Sequence, residues 1–315
     1  MESRLVTRHL DEIAPAPTGN LHLPMPADAR LRKIVETFVD HTADRGTIRI
    51  HNEWVDTPSG WDIFVPVCFV FRTSTKDKFM TIPSDVHLKI GGIIFPGMDQ
   101  CDFTGPFEAL ARVPNSTFFT LWKDKNPVRD LAGMLLLADT TFDEAPQLDV
   151  LLVPGGYGQE ALMNDETVLG FIRKQAEGAR YVYSVCTGAL LCGAAGLLHG
   201  RRATTHWTAM DVLPLFGATP SNDRVVIDDK FVSAGGVTSG IDGSLIVASL
   251  LRGETVAQEL QLYMSYDPKP PFQAGSPATA PAAVLATVTE RARVITEKRL
   301  ATGQAYQAAQ AGVGA

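Results

Sequence analysis

The sequence predicts an α/β protein built on a doubly wound, mostly parallel sheet with helices on both faces, preceded by an N-terminal extension of different character. Two observations carry this expectation. Short segments that are apolar throughout, such as "HLKIGGIIFPG" (87–97), "LDVLLVPGG" (148–156) and "RYVYSVC" (180–186), read as strands buried on both faces. Segments with helical period alternate with them, and that alternation is the pattern of a parallel sheet covered by helices. The orderly reading begins only near residue 80.

Along the chain, "ADARLRKIVETFVDHTADRG" (27–46) fits one amphipathic helix, with Leu31, Ile34, Val35 and Phe38 on one face. "WDIFVPVCFVFRTS" (61–74) reads as a strand broken by Pro66. After the strand at 87–97, "GPFEALARV" (105–113) is helical, with Pro106 suited to a first turn. "STFFTLWKD" (116–124) is a strand, 148–156 another, and "DETVLGFIRKQAEGA" (165–179) a helix with an acidic first turn. The strand at 180–186 runs into a helix at 187–198. "DRVVIDDKFVSAGG" (223–236) gives two short strands with Asp228 and Asp229 at the turn. Helices follow at 238–253 and 255–266, then a Pro-rich crossing at 268–281 and a charged helix containing "VTERARVITEKRL" (288–300). The division expected is an extension over 1–80, a catalytic domain over 86–301 and a flexible tail over 302–315.

Hydrophobic residues make up 45% and charged residues 20% of the chain, the mix of a soluble globular protein. The net charge of −7 argues against a nucleic-acid or anionic-membrane partner, which needs a basic face. The four cysteines, Cys68, Cys101, Cys186 and Cys192, form no CxxC pair and no metal-ligand spacing with histidine. The opening residues carry charges where a signal peptide has an apolar core, and no apolar run is long enough to span a membrane. A cytoplasmic location with free thiols is expected.

The chemistry concentrates in "YVYSVCTGALLCGAAG" (181–196), where a strand meets a helix at Cys186. Ligands in such folds sit at the carboxyl ends of the strands. A residue at this corner is often forced into a sharp turn that lifts its side chain above the sheet. Thr187, Gly188 and Ala189 are small enough to permit it, and the following helix aims its first N–H groups at the sulfur, which favours a thiolate. Asp102, in the loop after the first strand of the body, stands at the same end of the sheet. Gly155 and Gly156 let backbone N–H groups approach a bound atom as an oxyanion cradle. His206, in "RRATTHW" (201–207), is near enough in the chain order to reach the site from its loop. Each has a plainer reading: a packed thiol for Cys186, a helix cap or turn for Asp102, an ordinary strand end for the glycines, a structural role for His206. Cys192 and Cys101 read as packed small thiols.

Together "FPGMDQCDFTGPFEAL", "LDVLLVPGGYGQEALM", "YVYSVCTGALLCGAAGLLHGRRATTHW", "GGVTSGIDGSL" and "YDPKPPFQAGSPATAPAAV" resemble the ThiJ/PfpI group of class I glutamine-amidotransferase-like proteins, in their isocyanide-hydrating branch. The resemblance covers about 86 to 301. It implies a flavodoxin-like fold, a homodimer, a small-molecule isocyanide substrate, and no metal or organic cofactor. It makes Cys186 the nucleophile, Asp102 the general acid/base and Thr187 an assisting hydroxyl; from the residues themselves, Gly155, Gly156 and His206 are expected to bind substrate or oxyanion. Thr187 stands where peptidase-like relatives carry histidine. Cys101 stands where the group usually has an aliphatic residue. Attack by the Cys186 sulfur on the isocyanide carbon would give a thioimidate, and addition of water an N-substituted formamide. Because like charges raise each other's pKa, Asp102 is expected to be protonated or to share a proton while Cys186 is a thiolate.

The segments "SVCTGALL" and "GRRATTHW" also resemble the sensor domains of AraC-type regulators, which keeps a ligand-sensing module open, as it does another Cys-dependent enzyme or a redox-responsive protein on the same scaffold. "PPFQAGSPATAP" falls where such a regulator begins its DNA-binding half, and the remaining chain is too short for two helix-turn-helix motifs. Nothing in 1–80 carries the hydratase-like pattern, and Met80 reads as a plausible start of the catalytic domain.

Overall fold

The computed structural model describes residues 48–55, 63–71 and 81–313. The chain divides into two compact units, Met1–Lys78 and Phe79–Ala315. In the first, β1 (Ile48–Val55) and β2 (Ile63–Phe71) pair antiparallel. β2 is continuous through Pro66, contrary to the break expected there. The ladder instead slips by one residue between His51 and Asn52, so that Cys68 and Pro66 are their partners and Val67 bulges out. A bulge is how a strand accommodates the missing proline N–H. The helix read at 27–46 lies outside the described residues.

The second unit is a doubly wound α/β sandwich. Its core is a seven-stranded sheet in the order β12-β13-β9-β8-β3-β4-β7. The strands are β3 (Leu88–Ile93), β4 (Ser116–Trp122), β7 (Thr140–Thr141), β8 (Val150–Val153), β9 (Tyr181–Val185), β12 (Val225–Asp228) and β13 (Phe231–Ala234). All neighbours run parallel except β12 and β13, a hairpin whose turn places Asp229 at φ +55°. The central strands are buried on both faces. Every residue of β8 and β9 is buried, which is why their sequences show no polar alternation. Two short pairs lie off this sheet: antiparallel β5 (Val128–Arg129) with β6 (Leu135–Leu136), and parallel β10 (Arg202–Ala203) with β11 (Thr219–Pro220).

The helices are α1 (Gln100–Leu110), α2 (Gln159–Leu162), α3 (Glu166–Gly178), α4 (Gly188–Ala194), α5 (Ser239–Arg252), α6 (Glu254–Tyr263) and α7 (Ala282–Val313), with a 3-10 helix over Trp207–Phe216. α1 starts well before the helix expected at 105. Asp99 caps it by accepting the Cys101 N–H at 3.1 Å, so Asp102 lies in the first turn of a helix and not in a loop. Pro106 therefore falls inside the helix, where its ring packs against Gly240 of α5. The segment after 301 is not a separate tail: α7 continues through it to Val313, with the Tyr306 ring tilted against Phe216 at a centroid distance of 4.9 Å.

The sheet order reverses between β3 and β8: the chain steps from β3 outward to β4, then returns to place β8 on the other side. The crevice above the carboxyl ends of β3 and β8 is the switch point where ligands bind in doubly wound sheets.

Candidate active site

Four segments meet at that crevice: the start of α1, the Gly155–Gly156 corner after β8, the β9–α4 corner at Cys186, and α7. Cys186 has φ +55°, a left-handed conformation that costs a non-glycine residue strain and persists only when the surroundings impose it. Both of its backbone groups are pinned. Its N–H donates to the Ala234 carbonyl at 2.9 Å, and its carbonyl accepts the Thr205 hydroxyl at 2.9 Å. The corner is tight because α4 packs directly on β8; a Cβ on Gly188 would sit 2.0 Å from the Val153 carbonyl oxygen.

Asp102 is fully buried. Its Oδ2 accepts the Gly155 N–H at 3.0 Å, while Oδ1 has no hydrogen-bond partner of good geometry. Cys186 is the group that interacts with it across the crevice. Burial, with Asp99 nearby, pushes the Asp102 carboxyl up to about 7. Burial and Asp102 together push the Cys186 thiol well above its ordinary value, against the pull of the Thr187 N–H and of Arg299. The helix N-terminus thus loses to desolvation. Burial raises both acids of the pair, and each disfavours the other's negative charge, as expected for like charges held close together.

Thr187 is buried beside Cys186, and its hydroxyl accepts the Gly156 N–H at 3.1 Å. The glycines do not leave open N–H groups for an oxyanion. Gly155 N–H is held by Asp102 and Gly156 N–H by Thr187, so they position the two functional side chains instead. They must be glycines. A Cβ on Gly155 would meet the Thr187 N at 2.5 Å, and Gly156, at φ +125°, would meet the Asp99 N at 2.3 Å. His206 caps the 3-10 helix. Its Nδ1 lies 2.8 Å from the Thr208 hydroxyl and accepts the Thr208 N–H, which puts the ring proton on Nε2. Burial, then the charge of Arg299, lowers its pKa to about 4, so it is a neutral group at the edge of the site. Cys101 is half-buried, and burial with Asp99 and Asp102 raises its thiol too; Cys192 is a core thiol pushed up to about 12 by burial. Cys101, Cys186 and Cys192 are free.

Two residues of the site escaped the sequence reading. Thr205 holds the Cys186 carbonyl. Arg299, on α7, is 2% exposed and reaches into the crevice to Gly156, Gln159 and Thr187. The signal for it existed. Ala292, Ile295, Thr296, Arg299, Gly303 and Tyr306 follow helical spacing, so Arg299 sits on the inward stripe of a helix that otherwise reads as solvated. Among the described residues no cluster of three or more His, Cys, Asp or Glu is arranged to hold a metal ion. No helix of the structure is long and apolar enough to cross a membrane. The arrangement is that of a buried thiol and a carboxyl of raised pKa exchanging a proton, with a hydroxyl alongside.

Residues 89–248 match the DJ-1/PfpI family. Isonitrile hydratase of Pseudomonas putida is 51% identical over 205 residues, covering 65% of this chain and 90% of that enzyme. The crystal structure of a ThiJ/PfpI family protein from Pseudomonas syringae superimposes with a TM-score of 0.68 at 36% identity, covering 76% of this chain and 98% of the other. The HTH-type transcriptional regulator CdhR of Pseudomonas aeruginosa is 27% identical, over 53% of this chain and 52% of the regulator. The family match spans half of the sequence and contains Asp102, Gly155, Gly156, Cys186, Thr187 and His206: the chain belongs to the DJ-1/PfpI family.

Proposed function

We propose that this chain hydrates isocyanides to N-substituted formamides, through a thioimidate formed on Cys186. The observation that carries the reading is the 51% identity with an isonitrile hydratase over nine-tenths of that enzyme's length. The Cys186–Asp102 pair supports it, because the reaction needs one nucleophile and one group that gives and takes protons near neutral pH.

In this reading the Asp102 carboxylate takes the Cys186 proton as sulfur forms its bond to the isocyanide carbon, and the same proton ends on that carbon. The product of the step is R–N=CH–S–Cys186. Asp102, ionised again, removes a proton from water as the oxygen adds to the carbon, and a proton reaches the nitrogen. The C–S bond then breaks, the hydroxyl proton returns to sulfur through Asp102, and R–NH–CHO leaves. The balance is one isocyanide plus one water, with thiol and carboxylate restored. No amine departs, so no strong acid is required beside the sulfur, and a threonine suffices at position 187.

The test is formamide formation from a simple isocyanide such as cyclohexyl isocyanide. Cys186→Ala is expected to abolish turnover, and Asp102→Asn to lower kcat by roughly 10²- to 10⁴-fold, the span of general acid–base assistance. Mass spectrometry of protein quenched during turnover should show an adduct of the isocyanide's mass on Cys186. A folded protein with a free Cys186 that turns over no isocyanide would overturn the assignment in favour of a binding module.

A further inference from the structure

Arg299 is a buried cation of the crevice that the scheme above does not use. Its side chain is buried, and its three acceptors are all neutral: Nε donates to Gln159 Oε1 at 3.1 Å, and Nη2 to the Gly156 carbonyl at 2.9 Å and to Thr187 Oγ1 at 3.4 Å. Glu160 acts on it only at a distance, and the Tyr157 ring lies 5.8 Å below it. A buried guanidinium without a carboxylate partner is costly unless a negative charge forms nearby. The anion that can form there is the Cys186 thiolate, which acts electrostatically on Arg299 and is favoured by it in return.

The hydrogen-bond geometry adds a second role. A hydroxyl has two lone-pair positions and one proton. The Thr187 oxygen receives N–H groups from Gly156 and from Arg299, so both lone-pair positions face donors. Its own proton goes to the Gly156 carbonyl at 3.3 Å, an oxygen that also takes the shorter bond from Arg299. Arg299 and the Gly156 corner thus hold the Thr187 hydroxyl in place beside Cys186.

We propose that Arg299 is a positioning residue of the reaction: it holds Thr187 and the Gly156 corner in place beside Cys186 and supplies the positive charge that balances sulfur when Cys186 ionises. This rests on Cys186 being the nucleophile. The groups that face the pair are Asp102 and Asp99 from α1, Arg299 from α7, His206 before the 3-10 helix, and Tyr183 from β9, whose hydroxyl donates to the Gly240 carbonyl at 2.6 Å and stays neutral.

The experiment is the pH profile of Cys186 alkylation by iodoacetamide, read on the Cys186 peptide by mass spectrometry, in the full chain and in Arg299→Met, Arg299→Lys and Gln159→Glu. Gln159→Glu keeps the volume and gives the guanidinium a buried carboxylate, so it cancels the charge even where Arg299→Met fails to fold. The alkylation midpoint is expected to move upward by about one pH unit in Arg299→Met and in Gln159→Glu, the effect of removing one nearby opposite charge. Arg299→Lys should restore most of the midpoint. It should not restore kcat, because a lysine ammonium is a point charge without the fork that spans Gly156, Gln159 and Thr187. Arg299→Met is expected to lower kcat on the isocyanide by roughly 10- to 100-fold with KM within about threefold. An unmoved midpoint in Gln159→Glu and in any folded Arg299 variant overturns the proposal. The alkylation arm needs no isocyanide, so a wild-type protein inert to isocyanides would sink the functional reading without deciding this one.

Discussion

At the scale of single residues, the site is a competition for one proton between two buried acids. Asp102 is fully buried, with one oxygen on the Gly155 N–H, and its pKa rises to about 7 because desolvation, with the charge of Asp99, outweighs the pull of Cys186 and of the Gly155 N–H. Stability follows from the same fact. The folded state binds the Asp102 proton up to about pH 7, whereas the unfolded chain releases it near 3.8. Between those values the native state holds more protons than the unfolded state, so the contribution of Asp102 is fully present below about 3.8 and is lost as pH rises toward 7. His206 has the opposite sign: burial lowers it to about 4, so its contribution is present above about 6.5 and is lost as pH falls. Urea denaturation at a series of pH values should therefore be compared between the wild type and Asp102→Asn, which cancels His206 from the difference. The wild type is expected to lose stability relative to Asp102→Asn as pH rises from 4 to 7. A gain over that range would mean that Asp102 is held as a favoured carboxylate, and the general-base role would need another residue.

At the scale of elements, the site depends on two strand ends packed too closely for side chains. Gly188 opens α4 against the Val153 carbonyl, so Gly188→Ala has to separate α4 from β8 or distort the Cys186 corner. Overpacking of this kind is expected to cost about 1–3 kcal/mol in chemical denaturation and to slow alkylation of Cys186. A variant within about 0.5 kcal/mol of wild type would show that the corner yields easily. The central elements were legible because the physics that forms them is local. A strand buried on both faces must be largely apolar, and β8 and β9 are; the acidic start read for the helix at 165–179 is present too, with Asp165 capping α3 through the Thr167 and Val168 N–H groups. The β9–α4 corner was readable for the same reason, since small residues must follow a residue held in a sharp turn. The helix expected at 105 rested on Pro106 as a first-turn residue; α1 starts earlier because Asp99 caps it with a good hydrogen bond and Pro106 packs well in the helix interior. The commitments of the Gly155 and Gly156 N–H groups were not legible. They depend on side chains 53 and 31 residues away. Arg299 needed the docking of α7, which no local pattern supplies, although its place on the inward stripe was open to inspection.

At the scale of the whole molecule, the residues of the site come from Asp102 to Arg299, so the site exists only when the second unit has folded entire. That unit is Phe79–Ala315. The similarities fall on a comparable share of the chain: the Pseudomonas syringae structure is matched over 98% of its own length by 76% of this sequence, and the family match begins at residue 89. A nearly whole relative is therefore matched by a share of this chain about the size of the second unit. The expectation is that a chain beginning at Met80 hydrates isocyanides with kcat/KM within about twofold of the full chain, a difference too small to represent a lost catalytic contact. Its Cys186 alkylation profile should coincide with that of the full chain, because the groups that set it, Asp102, Asp99, Arg299 and His206, are all retained. A short chain that folds, alkylates normally and yet loses turnover would show that the first unit serves substrate capture and not the chemistry. A short chain with a displaced alkylation midpoint would place a charge of the first unit within reach of the sulfur.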